Sequence, residues 1–128
     1  MIVFTVMKIK HVTVFVKNME EAVGFFTEKL GFSAGENALF DEKSNEVPIR
    51  INNTDQYLNL VIDKDNAGFK SRVVLNTEDC LKDYHHLKTQ GVDFKNQPQY
   101  LSSGLYAEFY DNYGNEFVLL EERDYTEA

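Results

Sequence analysis

One feature narrows the possible folds more than any other: the chain repeats itself. The segment Arg72 to Asp79 lies over His11 to Asn18 without a gap, and in each copy the segment runs into an amphipathic stretch closed by a glycine, Gly31 or Gly91. In the first copy Val12, Val14 and Val16 alternate with His11, Thr13 and Phe15, the period-two pattern of a strand with two unlike faces. The valine face is fit to pack on a helix. The other face is a mixed set, closer to the wall of a cleft than to the middle of a core.

Asn18 is a suitable N-cap, with Glu20 and Glu21 at the positive end of the helix that follows. That helix starts near Met19, carries Ala22, Val23, Phe26 and Leu30 on its apolar side, and stops at Gly31. Further strands are expected around Ala38 to Phe40, over Val47 to Ile51 and over Tyr57 to Ile62, with Asp63 to Gly68 as the connector. The second copy supplies a strand Arg72 to Thr77, a helix over Leu81 to Leu87 capped by Asp79, and an extended piece Val92 to Phe94. A loop Gln97 to Gly104 follows, then strands Leu105 to Tyr110 and Glu116 to Glu121 about the turn Asp111 to Asn115.

One such unit cannot bury both faces of its sheet, so two must pair. The expected product is an α+β fold, two paired βαβββ modules forming a curved mixed sheet, a half-barrel with its helices outside. Residues 1–128 then form one domain, with modules at about 8–63 and 70–122. Alternation puts His11, Thr13 and Phe15 from one copy and Arg72, Val74 and Asn76 from the other into the cleft.

Composition excludes several classes. With 13 basic against 21 acidic residues and a net charge of −8, no cationic cluster exists to bind nucleic acid or an anionic membrane. The apolar opening, residues 1–7, is too short to span a bilayer and reads as a strand extension or a leader. Cys80 is the single cysteine and sits beside Glu78 and Asp79, which oppose a thiolate, so it reads as a buried structural residue in a soluble cytoplasmic protein.

The segments His11 to Phe32 and Phe109 to Glu121, the latter with its Asp111-Asn-Tyr-Gly-Asn115 turn, closely resemble the vicinal oxygen chelate superfamily. That superfamily takes in glyoxalase I, bleomycin-resistance proteins, fosfomycin-resistance enzymes and extradiol dioxygenases. The resemblance covers roughly residues 8–122 and implies paired βαβββ modules, an open cleft and frequently a homodimer. It also implies a divalent metal held by a first-strand His and a last-strand Glu. Carried over, those positions fall on His11 and Asn59 in the first module and on Arg72 and Val118 in the second. A guanidinium cannot ligate, and one His with one amide does not hold a metal against water.

The expected function is therefore metal-independent binding of a small molecule in the cleft, with no cofactor, no nucleic-acid or membrane partner, and a homodimer as the assembly. The candidate ligand-binding residues are His11, Thr13, Phe15, Arg50, Tyr57, Asn59, Arg72 and Tyr106. Arg72 requires either an internal carboxylate or an anionic ligand. Arg50 reads by default as a surface residue, as do His85 and His86, which point in different directions on their helix. The alternative is a lyase, dioxygenase or thiol transferase of the same superfamily that uses Zn, Fe, Mn or Ni. In it His11 is the single clear ligand, helped by Glu108 or Glu116, both otherwise read as solvated or rim residues. A second alternative is an interaction module without chemistry.

Overall fold

The computed structural model describes residues 5–34, 45–65 and 68–123. The first module runs β1 (His11–Val16), α1 (Met19–Gly24), β2 (Ser33–Ala34), β3 (Glu46–Arg50) and β4 (Tyr57–Ile62). The second runs β5 (Arg72–Asn76), α2 (Cys80–Thr89), β6 (Gln99–Leu101), β7 (Gly104–Tyr110) and β8 (Glu116–Glu122). Each module forms an open mixed sheet of four strands, in the orders β1-β4-β3-β2 and β5-β8-β7-β6, so the α+β architecture and the twofold repetition are as the sequence implies.

The repeat holds at the level of single residues. β1 pairs with β4 in parallel with His11 opposite Tyr57, and β5 pairs with β8 in parallel with Arg72 opposite Glu116. Thr13 therefore faces Asn59 where Val74 faces Val118. Both helices start as expected: the Asn18 side-chain Oδ1 accepts the Glu21 N–H at 3.0 Å, and the Asp79 carboxylate accepts that of Lys82 at 3.0 Å. Glu121 reaches across to accept the Cys80 N–H, a second acceptor at the α2 N-terminus that holds its own carboxyl below the usual range.

The first helix departs from plain α spacing. After Gly24 it widens into a π turn over Phe25–Lys29, in which Leu30 donates to the Phe25 carbonyl, before Gly31 at φ 74° ends it. Ala22, Phe25 and Phe26 are all buried, the i, i+3, i+4 spacing of a single helix face, so Phe25 belongs to the apolar side as well, and the two rings meet edge to face at 5.1 Å. Phe26 lies against Phe117 of β8, which stacks on Phe109, which in turn meets Phe94 and then Tyr84 of α2. One aromatic string thus joins the modules inside a single buried cluster that also holds Val14, Val16, Leu58 and Leu60.

Several local expectations shift. The strand expected at Ala38 to Phe40 falls outside the described residues, and β2 is Ser33–Ala34. Residues 5–10 form no strand, and Val6, Met7 and Ile9 are exposed. The expected loop from Gln97 contains β6, pinned by pairing with β7, and Val92 to Phe94 contributes only an isolated bridge from Phe94 to Phe109. β7 begins at Gly104 because no other residue fits there: a Cβ would lie 2.0 Å from the Glu121 carbonyl oxygen.

Candidate functional site

Each sheet has a helix on one face and leaves the other free of it. On the first sheet the ladder puts His11, Thr13 and Phe15 of β1 on the same face as Tyr57, Asn59 and Val61 of β4 and Arg50, Pro48 and Glu46 of β3. Six of the eight candidate residues, Arg50 among them, are therefore brought together. Arg72 and Tyr106 are not among them: they share the corresponding face of the second sheet with Val74, Val118 and Glu108.

The two faces differ chemically. On the first, Tyr57 carries the Lys10 ammonium over its ring at 4.6 Å, and Phe15 packs against Phe69 with centroids 5.4 Å apart. Arg50 is exposed and bonds through Nε to the Thr54 carbonyl at 2.6 Å, which fits the surface reading. Asn59 stands between Thr13 and Pro48, is 2% exposed, and its Oδ1 has no hydrogen-bond partner among the described residues. A buried amide oxygen without a donor costs about 1–3 kcal/mol.

On the second face the charge is internally balanced. Arg72 bridges to Glu116, its cross-strand neighbour, at 3.2 Å and to Glu108 at 3.7 Å, and Lys95 also reaches Glu108 at 3.8 Å. Of the two readings left open for Arg72, the carboxylate partner is the one seen. Glu108 is correspondingly no solvated rim residue, since only 16% of its side chain is exposed. Tyr106 donates to Gln99 at 3.1 Å on β6, a partner that the loop reading hid. Around this salt bridge the face is apolar, and Val74 is 52% exposed.

Where the resemblance puts metal ligands, the two equivalent pairs of positions hold His11 with Asn59 and Arg72 with Val118. This donor set does not fit a divalent ion: one imidazole, one amide, one salt-bridged cation and one hydrocarbon. Among the described residues no three His, Cys, Asp or Glu side chains gather as a metal site. Cys80 is buried, and burial together with Glu121, Asp83 and Asp79 pushes its thiol up to about 11, so it is no nucleophile at neutral pH. His85 and His86 are exposed on α2.

The Asp111 to Asn115 turn, which carries half of the resemblance, has a structural task. Asp111 Oδ1 accepts the N–H groups of Tyr113 and Asn115, and Asn115 Nδ2 donates to Asp111 Oδ2 at 2.7 Å and to the Phe15 carbonyl of β1 at 2.9 Å. Asn115 Oδ1 accepts the Ser71 N–H, and Ser71 Oγ donates to the Thr13 carbonyl at 2.6 Å. Tyr113 adds a bond to the Asn18 carbonyl and another to Glu21, and burial beside that carboxylate pushes its phenol up to about 12. The motif sews module two to module one.

Residues 8–119 match the family model of the glyoxalase/bleomycin resistance protein/dioxygenase superfamily. The chain belongs to that superfamily. The Bacillus subtilis (strain 168) protein YetH is 27% identical over 113 residues, 86% of this chain and 94% of that protein. Among solved structures, a superfamily member from Sphaerobacter thermophilus superposes with a TM-score of 0.80 at 24% identity, covering 91% of this chain and 98% of that one. TnmS3, an antibiotic-binding protein from Streptomyces sp. CB03234, gives 0.81 at 22% identity and covers 94% and 99%. At these identities the structural likenesses speak for the fold. Among the described residues no helix is long and apolar enough to cross a membrane.

Proposed function

We propose that this superfamily member binds a small organic molecule on its helix-free sheet faces without a metal, using His11, Thr13, Phe15, Tyr57 and Asn59 as the recognition surface. The carrying observation is Asn59: where an enzyme of the family keeps a carboxylate ligand, this chain buries a neutral acceptor that has no donor among the described residues. A ligand N–H or O–H offsets that cost on binding, while Phe15 and Tyr57 offer rings for an apolar or aromatic body. That the fold is shared with an antibiotic-binding protein supports the same class of ligand.

The assembly that suits this reading is a homodimer in which a second copy covers the open face of the other sheet. The half-exposed Val74 and the exposed arm of Val6, Met7 and Ile9 are surfaces such a copy would bury. A reducing, cytoplasmic setting suits the lone buried Cys80.

The test is a thermal-shift screen of small aromatic donors, repeated on Phe15→Ala and Asn59→Val. The reading expects hits on the wild type that both variants lose. Hits indifferent to both variants refute it, as does stoichiometric metal in chelator-free protein that disappears in His11→Ala.

A further inference from the structure

The seam between the modules has two ends, and they are not alike. The ladder bonds from Asp63 N–H to the Val16 carbonyl and from Glu116 N–H to the Ser71 carbonyl fix which backbone groups point away from each sheet: those of His11, Thr13 and Phe15 on β1, and those of Arg72, Val74 and Asn76 on β5. At the β1 end the outward carbonyls of Thr13 and Phe15 are capped by Ser71 and Asn115. In the repeat the counterparts of Thr13 and Phe15 are Val74 and Asn76, and those of Ser71 and Asn115 are Lys10 and Gln56. Among the described residues no donor caps Val74 or Asn76.

Instead, a groove of about 690 Å³ opens there, with Gln56, Val74 and Asn76 in its lining. Its apolar walls come from both modules, with Leu30, Phe32 and Ile51 from the first and Leu75, Leu87 and Leu119 from the second. Asp83 of α2 also lines it and accepts a short hydrogen bond from Thr77 Oγ1, which leaves its other oxygen for a second donor. No lysine or arginine is in the lining, and His86 is the one other ionisable side chain there besides Asp83. An open groove of this size, with hydrocarbon on two walls, polar side chains such as Asn52, Thr54 and Gln56 between them, one carboxylate and the uncapped carbonyls of Val74 and Asn76, suits a ligand with a hydrocarbon body and a cationic, N–H-bearing head.

We propose that this groove is a second small-molecule site, separate from the face containing Asn59, and that it takes organic cations of the amidinium, guanidinium or ammonium class. The head lies against Asp83 and the open edge of β5, the place where the other end of the seam supplies its own donors from Ser71 and Asn115. The protein's net charge of −8 favours approach of such a ligand.

Benzamidine serves as the probe, titrated into ¹⁵N-labelled full-length protein, with benzoate and benzyl alcohol as the anionic and neutral comparisons. The expected result is saturable shifts of the amides over residues 51–56 and 74–77, weakened about tenfold in Asp83→Asn and abolished in Gln56→Trp, whose ring fills the mouth. Benzoate is expected to leave these amides unmoved. Because both substitutions are at the groove, spectra of the free variants show whether each is folded, and either folded variant suffices. Shifts confined to the face of Thr13, Tyr57 and Asn59, no saturable shift at all, or equal affinity in the folded variants overturns the proposal. Failure of the ligand reading at Asn59 leaves these outcomes untouched.

Discussion

The two modules share one ladder and one register, yet their helix-free faces have been filled by opposite means. His11 and Arg72 hold the same place, as do Asn59 and Val118. The second module carries charge and neutralises it internally, through Glu116 and Glu108, and leaves hydrocarbon where a ligand carboxylate would stand. The first keeps one buried acceptor, Asn59 Oδ1, without a donor among the described residues. A duplicated scaffold can thus hold its backbone pairing while one copy is settled by its own contacts and the other is left to be completed from outside. The turns differ in the same sense. The Asp111 to Asn115 turn reaches into the neighbouring module, whereas among the described residues the Asn52 to Asp55 turn bonds locally, through Thr54 to Ile51 and Arg50 to Thr54.

The largest expected effect breaks that difference between turns. Asn115→Ala strands a buried carboxylate, the Phe15 carbonyl and the Ser71 N–H at once, and should cost about 3 kcal/mol or more in urea denaturation. Gln56→Ala at the equivalent place should stay within about 0.5 kcal/mol. Equal losses in the two variants would mean that the seam is sewn at both ends.

Next comes the difference between Asn59 and Val118. Asn59→Val makes the first module match the second and removes a buried acceptor that has no donor, so it should raise stability by about 1 kcal/mol and raise Tm accordingly, while small-molecule binding is lost. A Tm drop would show that the amide is satisfied after all.

These two residues also mark what the sequence could and could not reveal. The repeat, both N-caps and the burial of Val14 and Val16 were legible because each depends on residues within a few positions of one another, although Val12 of the same stripe is exposed, and the residue-level equivalence of His11 with Arg72 follows from the same spacing. The partners of Arg72 were not. Glu116 lies 44 residues along the chain by numbering, and only the β5–β8 register puts it alongside. The π turn escaped for a different reason: Ala22, Phe25 and Phe26 have the i, i+3, i+4 spacing that suits a regular helix equally well, so nothing in the pattern marks the wider turn. Asn59 was legible as a departure from the family pattern, but its missing donor is a property of what surrounds it in space, between Thr13 and Pro48 on the neighbouring strands.

A smaller effect tests the internal neutrality of the second face. Arg72→Ala leaves Glu108 with Lys95 alone, but the arginine side chain is 58% exposed, so water and salt screen the pair. The expected loss is about 0.5 kcal/mol at low ionic strength, falling toward zero in concentrated sodium chloride, and Glu116→Gln should track it. A loss that survives high salt would mean a tighter, drier pairing than this exposure allows.

The smallest effect concerns pH and the sewn turn. Burial raises the Asp111 carboxyl above its ordinary 3.8, outweighing the hydrogen bonds from Asn115 and Tyr113 that pull the other way. The native state therefore binds this proton more tightly than the unfolded chain does. The resulting contribution to stability is full below the ordinary carboxyl value and is lost as pH rises through the raised one, because the ionised group must then sit in the core. Asp111→Asn removes the titration. Its Tm relative to wild type should therefore climb as pH increases through the acid range and level off once the wild-type carboxyl is fully ionised. A difference that is flat across that range would show that the hydrogen bonds from Asn115 and Tyr113 fully offset burial, and one that falls with pH would show that they outweigh it.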